Sequence, residues 1–480
     1  MRVLVAPDKF KGSLSAAQVA DSIGEGLREA GVDDIRLPLA DGGDGSVAAA
    51  LSAGFQLRAC AVVDAIGQRR SSCLAVGGST AVVEVANTCG MQTFPAGVAA
   101  PILSSSFGFG EAIAAALRFG ARRMVLALGG SASTDGGLGM LAALGYQFYD
   151  VTGLRVAATA QNLHRVHQLC RHDAVDLSGI ELVIATDVTN PLTGPRGAAR
   201  VFGPQKGATP ADIRFLESGL ANLVDAVGRS GWHDAEDLAT SPGAGAAGGC
   251  GFAAMVLGGT AVSGAAYFLD LLGFDDHLSR VDVVVTGEGR LDDQTLNGKL
   301  PAVVARRAAP TPAIAVVGTN DLRSDTDLFA EIHSVAELAG SDTAADVALT
   351  ADVLRRVGGC LGERLRQASR NSTMANGITP FDRTVLTPAM EQQLDRFDRQ
   401  LMTWLQHWAP YGGPPEDELL SEFGMSRARL NQHVRDILAA ASVDKLSSAD
   451  RELFRLASSI ARDRPSIPER TVPRFKRDRP

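Results

Sequence analysis

The chain has 480 residues, 45% of them hydrophobic and 21% charged, with a formal net charge of −8. That length exceeds one small core, so two or three domains are expected, and the acidic balance argues against nucleic-acid binding by the chain as a whole. The charge is uneven: residues 1–379 hold 30 Lys and Arg against 39 Asp and Glu, whereas 380–480 hold 16 against 15.

At the amino end, MRVLVAPDKFKG places Asp8, Lys9 and Lys11 before any signal-peptide apolar region is complete, which predicts a cytoplasmic protein. Short β-branched runs alternate with longer amphipathic ones over 2–6, 16–30 and 35–39, and again over 281–286, 301–308 and 313–317. This alternation predicts parallel strands with crossover helices. Between 55 and 85 three apolar runs are separated by turns, with no room for helices, and hairpins or a mixed sheet are expected there. The βαβ pattern at both ends predicts a discontinuous flavodoxin- or Rossmann-like domain, 1–64 with 281–370. An inserted α/β domain, 65–280, then supplies the other wall of a ligand cleft.

The uncharged stretch 252–269 has roughly the length of a membrane span, yet it is rich in Gly, Ala, Ser and Thr. It reads as two packed core helices, with no membrane association. The six cysteines, at 60, 73, 89, 170, 250 and 360, form no Cys-x-x-Cys pair, which favours free thiols over a disulfide framework or zinc site.

A polar, turn-rich linker is expected over 371–388, then a small all-α domain over 389–465 and a flexible basic tail over 466–480. Within the small domain, DELLSEFGMSRARLNQHVRDIL sets Gly424 between two amphipathic segments at helix-turn-helix spacing. Arg427, Arg429 and Arg435 on the second segment suit nucleic-acid contact, and a plain protein-interaction module fits the same pattern.

Five acid-bearing or glycine-rich loops carry the chemistry: LADGGDGS (39–46), GGSASTDGG (129–137), ATDVTNPL (185–192), PGAGAAGGCG (242–251) and TGEGRLDDQTLNGK (286–299). Most follow a strand-like run, and strand carboxyl ends share one edge of an open α/β sheet. Converging Asp, Glu, Lys and Gly suit phosphoryl transfer, where positioning and charge neutralisation do most of the catalysis. None is a Walker loop or a protein-kinase glycine loop.

With APDKFKGSLSA (6–16) and TDVTNPLTGPRGAARVFGPQKGA (186–208) added, these blocks resemble, in order, the signature blocks of bacterial type I glycerate kinases over about residues 1–370. The resemblance implies an ATP- and Mg²⁺-dependent kinase acting on a hydroxyl of D-glycerate, with two α/β domains around a cleft. Phe107 and Phe109 stand where the family usually carries polar residues, and Thr134 where Asn is usual. Residues 390–465 resemble a short actinobacterial domain of uncharacterised function. The alternative is a DNA-binding regulator that uses a kinase-like body as a metabolite sensor.

On this resemblance Asp135 and Asp187 are the candidates for catalysis and, with Asp292, for Mg²⁺ ligation; an Asp after a strand equally caps the next helix. Lys9, Lys11, Asp41 and Lys206 are candidates for substrate binding, with surface lysines and turn residues as the alternatives. ATP and its phosphates are assigned Gly129, Gly130, Ser131, Ser133, Gly243, Gly245, Gly248, Gly249, Glu288 and Lys299. Helix packing explains GAGAAGG as well.

Overall fold

The structure, a computed structural model, describes residues 1–94, 99–296, 298–323, 326–341 and 343–374. The expectations for residues 375–480, including the helix-turn-helix-like segment, lie outside the described residues. The helix Val347–Met374 runs past 370, so the expected start of the linker at 371 moves.

Two sheets organise the body. The first has five parallel strands in the order Glu331–Ser334, Ala313–Val317, Val283–Thr286, Arg2–Val5, Asp33–Arg36. The second has six, in the order Thr260–Val262, Glu181–Ala185, Arg123–Ala127, Thr80–Glu84, Arg69–Gly77, Gln56–Val63. Its first four strands are parallel, and the last two turn antiparallel as a meander, as the helix-free run of the sequence predicts. The strand Gln56–Val63 pairs with the second sheet, so the change of sheet comes before it and not at residue 65: a hairpin partner must join its partner's sheet.

Strand period explains the layers. Along Arg2–Val5, Val3 and Val5 point to one core, shared with the helices Ala16–Glu29 and Val347–Met374, while Leu4 points to another. In the second sheet Met124 and Leu126 face an outer core, and Val125 between them faces the core that contains Leu4. That middle core also holds Val47, Ala49, Phe268, Leu269, Leu300 and Val304. Residues of both sheets and of the helices Ser46–Ser52, Gly264–Leu271 and Leu300–Ala308 therefore share this middle core, while each sheet keeps an outer core of its own, as expected of two α/β domains. On the outside of the first sheet two helix backbones nearly touch, since a Cβ on Gly26 would lie 1.9 Å from the Arg355 carbonyl oxygen.

The stretch 252–269 contains parts of two helices, Cys250–Val256 and Gly264–Leu271, but the edge strand Thr260–Val262 separates them. Its glycines, Gly258 and Gly259, break the first helix and let the chain re-enter the sheet. Among the described residues no helix is long and apolar enough to cross a membrane.

Candidate active site

The loops leaving the carboxyl ends of both sheets meet, and glycine is what allows it. A Cβ on Gly42 would lie 2.4 Å from the Ala185 carbonyl oxygen, one on Gly129 would lie 2.4 Å from the Cα of Gly43, and one on Gly264 would lie 2.0 Å from the Asp41 carbonyl oxygen. The Gly129 N–H donates to the Gly42 carbonyl at 3.3 Å. ADGGDG from the first sheet is thus wedged among the strand ends of the second.

Around this wedge the charged groups act on one another. Lys9 Nζ lies 3.5 Å from Asp8 Oδ1 and 3.9 Å from Asp41 Oδ1. Burial opposes the Lys9 charge, but Asp8, Asp41 and Asp44 hold its proton above the ordinary lysine range. Asp8 is pushed up to about 7, first by burial and then by Asp41 and Glu288, and these outweigh its pairing with Lys9. Glu288 is likewise raised to about 7 by burial and accepts the Thr295 hydroxyl at 2.5 Å. Asp187 accepts from Ser263 Oγ at 2.8 Å and from the Ala265 N–H at 3.1 Å; burial raises its carboxyl, and Asp41 adds to that. The sequence candidates Lys9, Asp41, Asp187 and Glu288 therefore share one electrostatic neighbourhood.

Two members of it, Asp8 and Glu84, are missing from the sequence candidates. Glu84 ends the strand Thr80–Glu84 and is 1% exposed; one oxygen accepts the Val47 N–H at 2.9 Å, and Oε1 has no hydrogen-bond partner among the described residues. A carboxylate closing the apolar run AVVE was the available signal. Burial pushes its carboxyl up to about 7, with Asp44 adding to the rise. The folded value is above the unfolded one, so this stabilisation is complete below about 4.5 and disappears as pH rises through 7. The displacement from 4.5 to about 7 corresponds to about 3 kcal/mol. Glu84→Gln keeps an acceptor for Val47, so it is expected to raise the unfolding temperature at pH 8 and to leave it unchanged or lower at pH 5. Thermal melts at the two pH values check this.

Other candidates border this neighbourhood or lie outside it. Asp292 is held by Lys299 at 3.1 Å and accepts from the N–H groups of Gln294 and Thr295, and Lys299 also acts on Glu288. Lys11 is exposed, with its backbone beside Gly289. Gly130 is exposed at φ 80°, and Gly129 is half-buried.

Asp135 faces no opening. It is 0% exposed and accepts from the Ser106 N–H at 2.8 Å, Ser106 Oγ at 2.9 Å, the Gly139 N–H at 3.1 Å and the Gly137 N–H at 3.2 Å. Complete burial raises its carboxyl even so. The carboxylate ties the start of helix Phe107–Arg118 to that of helix Leu138–Ala143, the capping alternative that the sequence left open for it. Phe109 is fully buried in the outer core, so that apolar departure fills packing space.

Gly243, Gly245, Gly248 and Gly249 are buried too. A Cβ on Gly245 would meet the Pro191 carbonyl oxygen at 2.3 Å, one on Gly248 the Ser133 carbonyl oxygen at 2.1 Å, and one on Gly249 the Gly136 Cα at 2.5 Å. Backbone crossing explains Gly245, Gly248 and Gly249, the packing alternative that the sequence left open. Lys206, 7% exposed, reaches the same crossing and donates to the Ser133 carbonyl at 2.6 Å and to Ser131 Oγ at 3.1 Å.

Stacked α/β layers with acids, lysines and glycine turns gathered at the strand carboxyl ends define a small-molecule α/β enzyme of the open-sheet kind. The model of the glycerate kinase family matches residues 3–357. Glycerate 2-kinase of Escherichia coli K12 is 35% identical over 396 residues, covering 79% of this chain and 99% of that protein. Glycerate kinase of Haemophilus influenzae Rd is 36% identical, covering 71% and 93%. The solved structure of a Salmonella typhimurium LT2 protein assigned as glycerate kinase 2 superposes with a TM-score of 0.67 at 33% identity, covering 77% of this chain and 99% of that one. The chain belongs to the glycerate kinase family. These matches concern the kinase body and lend no support to the DNA-binding regulator.

Proposed function

We propose that this chain transfers the terminal phosphoryl group of ATP to a hydroxyl of D-glycerate, forming 2- or 3-phosphoglycerate, at the carboxyl edge shared by its two sheets. The observation that carries the reading is the meeting of Asp8, Lys9, Asp41, Asp187 and Glu288 on loops of both sheets, in a chain of the glycerate kinase family. Lys9 supplies the positive charge for an anionic substrate. Asp187 and Asp41 orient the reactants, and Glu288, half-buried and partly protonated near neutrality, accepts the proton of the attacking hydroxyl.

Among the described residues no three His, Cys, Asp or Glu side chains are grouped closely enough to hold a metal by themselves. That fits Mg²⁺, which binds through one or two carboxylates with phosphate oxygens and water. Asp41, whose side chain is 40% exposed, and the half-buried Asp187 are the carboxylates for it; Asp135 is fully buried with four donors on it, and Asp292 is paired with Lys299. When bound, the ion neutralises phosphate charge.

Purified full-length chain with ATP, Mg²⁺ and D-glycerate should release ADP in a glycerate-dependent manner, and phosphorus NMR identifies the hydroxyl used. A base must be deprotonated to act, so kcat/KM should rise with pH through about 7. Glu288→Gln should lower the rate roughly 10²-fold or more and remove that rising limb. No glycerate-dependent ADP with any divalent metal would end the kinase reading; an unchanged limb in the variant would end the role of Glu288 alone.

A further inference from the structure

Lys206 lies away from the carboxylate neighbourhood of Lys9, yet its side chain is more deeply buried. Its ammonium makes no ion pair among the described residues; its two hydrogen bonds go to neutral oxygens, of Ser131 and Ser133. Asp135 acts on it only through space, and that carboxylate is already spent on four donors. In the same loop the hydroxyls of Ser133 and Thr134, both 0% exposed, have no hydrogen-bond partner among the described residues. Buried polar groups are normally satisfied, and a buried charge is normally paired. Here one cation and two hydroxyls on 131–134 and 206 depart from this together. All can donate to an anion, and the loop that carries them opens at the exposed Gly130 beside the ADGGDG wedge.

We propose that Lys206, with the hydroxyls of Ser133 and Thr134, forms an inner subsite for an oxyanion, supplied either by the carboxylate of the acceptor or by a phosphate of the nucleotide. The assignment of those two sources rests on the kinase reading; the subsite itself does not. Burial lowers the Lys206 ammonium to about 8, with Cys250 and Asp135 opposing that fall. An oxyanion beside it restores full charge and completes its third hydrogen bond. Without the anion the group costs stability, so its removal separates a ligand site from a structural tether.

The test is isothermal titration of the full chain with inorganic phosphate, D-glycerate, its uncharged amide and ATP, alongside thermal melts. Lys206→Met, Ser133→Ala and Thr134→Val are the variants. For Lys206→Met the expected result is an unchanged or raised melting temperature, at least tenfold weaker binding of inorganic phosphate, and the same loss for one physiological ligand. Loss confined to D-glycerate, whose amide already binds weakly to the wild type, identifies the carboxylate; loss confined to ATP identifies the phosphate. Ser133→Ala and Thr134→Val should fold and weaken the same ligand by threefold or more. They carry the test if Lys206→Met does not fold. The proposal is overturned if all affinities survive in the folded variants, or if the wild type binds none of the anions. Binding of inorganic phosphate that depends on Lys206, with no binding of D-glycerate or ATP, would keep the subsite and remove the kinase reading.

Discussion

Asp135→Ala is expected to destabilise the body by about 4 kcal/mol or more, because it strands the Ser106, Gly137 and Gly139 N–H groups and the Ser106 hydroxyl in a fully buried place. Each orphaned donor costs on the order of 1–3 kcal/mol, against a total of about 5–15 kcal/mol for an ordinary domain. The damage spreads, since Ser106 Oγ also accepts the Met140 N–H at 2.9 Å and so connects both helix starts. Asp135→Asn is expected to do harm of the same kind, because its amide nitrogen would face donors. Equilibrium urea unfolding measures the loss. A variant with wild-type stability and no activity would instead return Asp135 to a direct part in the reaction.

Asp187→Asn should do the reverse. Its side-chain oxygen can still accept the Ala265 N–H while the amide nitrogen donates to Ser263 Oγ, and the site is only partly buried, so the melting temperature should stay within about 3 °C of the wild type. The lost charge removes a carboxylate that acts with Asp41 at the meeting of the two sheets, and kcat should fall roughly 100-fold or more, equivalent to about 2.7 kcal/mol of barrier. Asp41→Asn should behave similarly, since the Gly43 N–H retains its acceptor at 3.0 Å. Steady-state ADP release combined with thermal melts separates the outcomes. Activity within threefold of wild type in both variants would remove these two carboxylates from the reaction.

The contrast between Asp135 and Asp187 marks what local pattern can carry. Both follow a strand and both sit in polar loops, so position along the chain treats them alike. Strand and helix periods do identify local elements, because alternation at 2 and at 3.6 depends only on neighbours. The runs at 2–6, 281–286 and 313–317 became strands of one parallel sheet, and the helix-free run at 55–85 became a meander. The six motif blocks likewise carried the family, because order and spacing are properties of the chain alone.

Tertiary structure decided whether a polar group faces ligand or backbone. Gly245, Gly248 and Gly249 read equally as phosphate access or as packing until the crossing with Pro191, Ser133 and Gly136 is seen. Glu84 is hidden in an apolar run until Val47 and Asp44 close around it from residues about forty positions away. By itself the sequence determined the elements, the parallel architecture and the family. Which carboxylates meet, which are consumed as structural ties, and which lysine is buried against neutral oxygens depended on contacts between distant segments. Hydrogen-bond satisfaction and desolvation are set by the whole surrounding shell, and that shell exists only once the layers have packed.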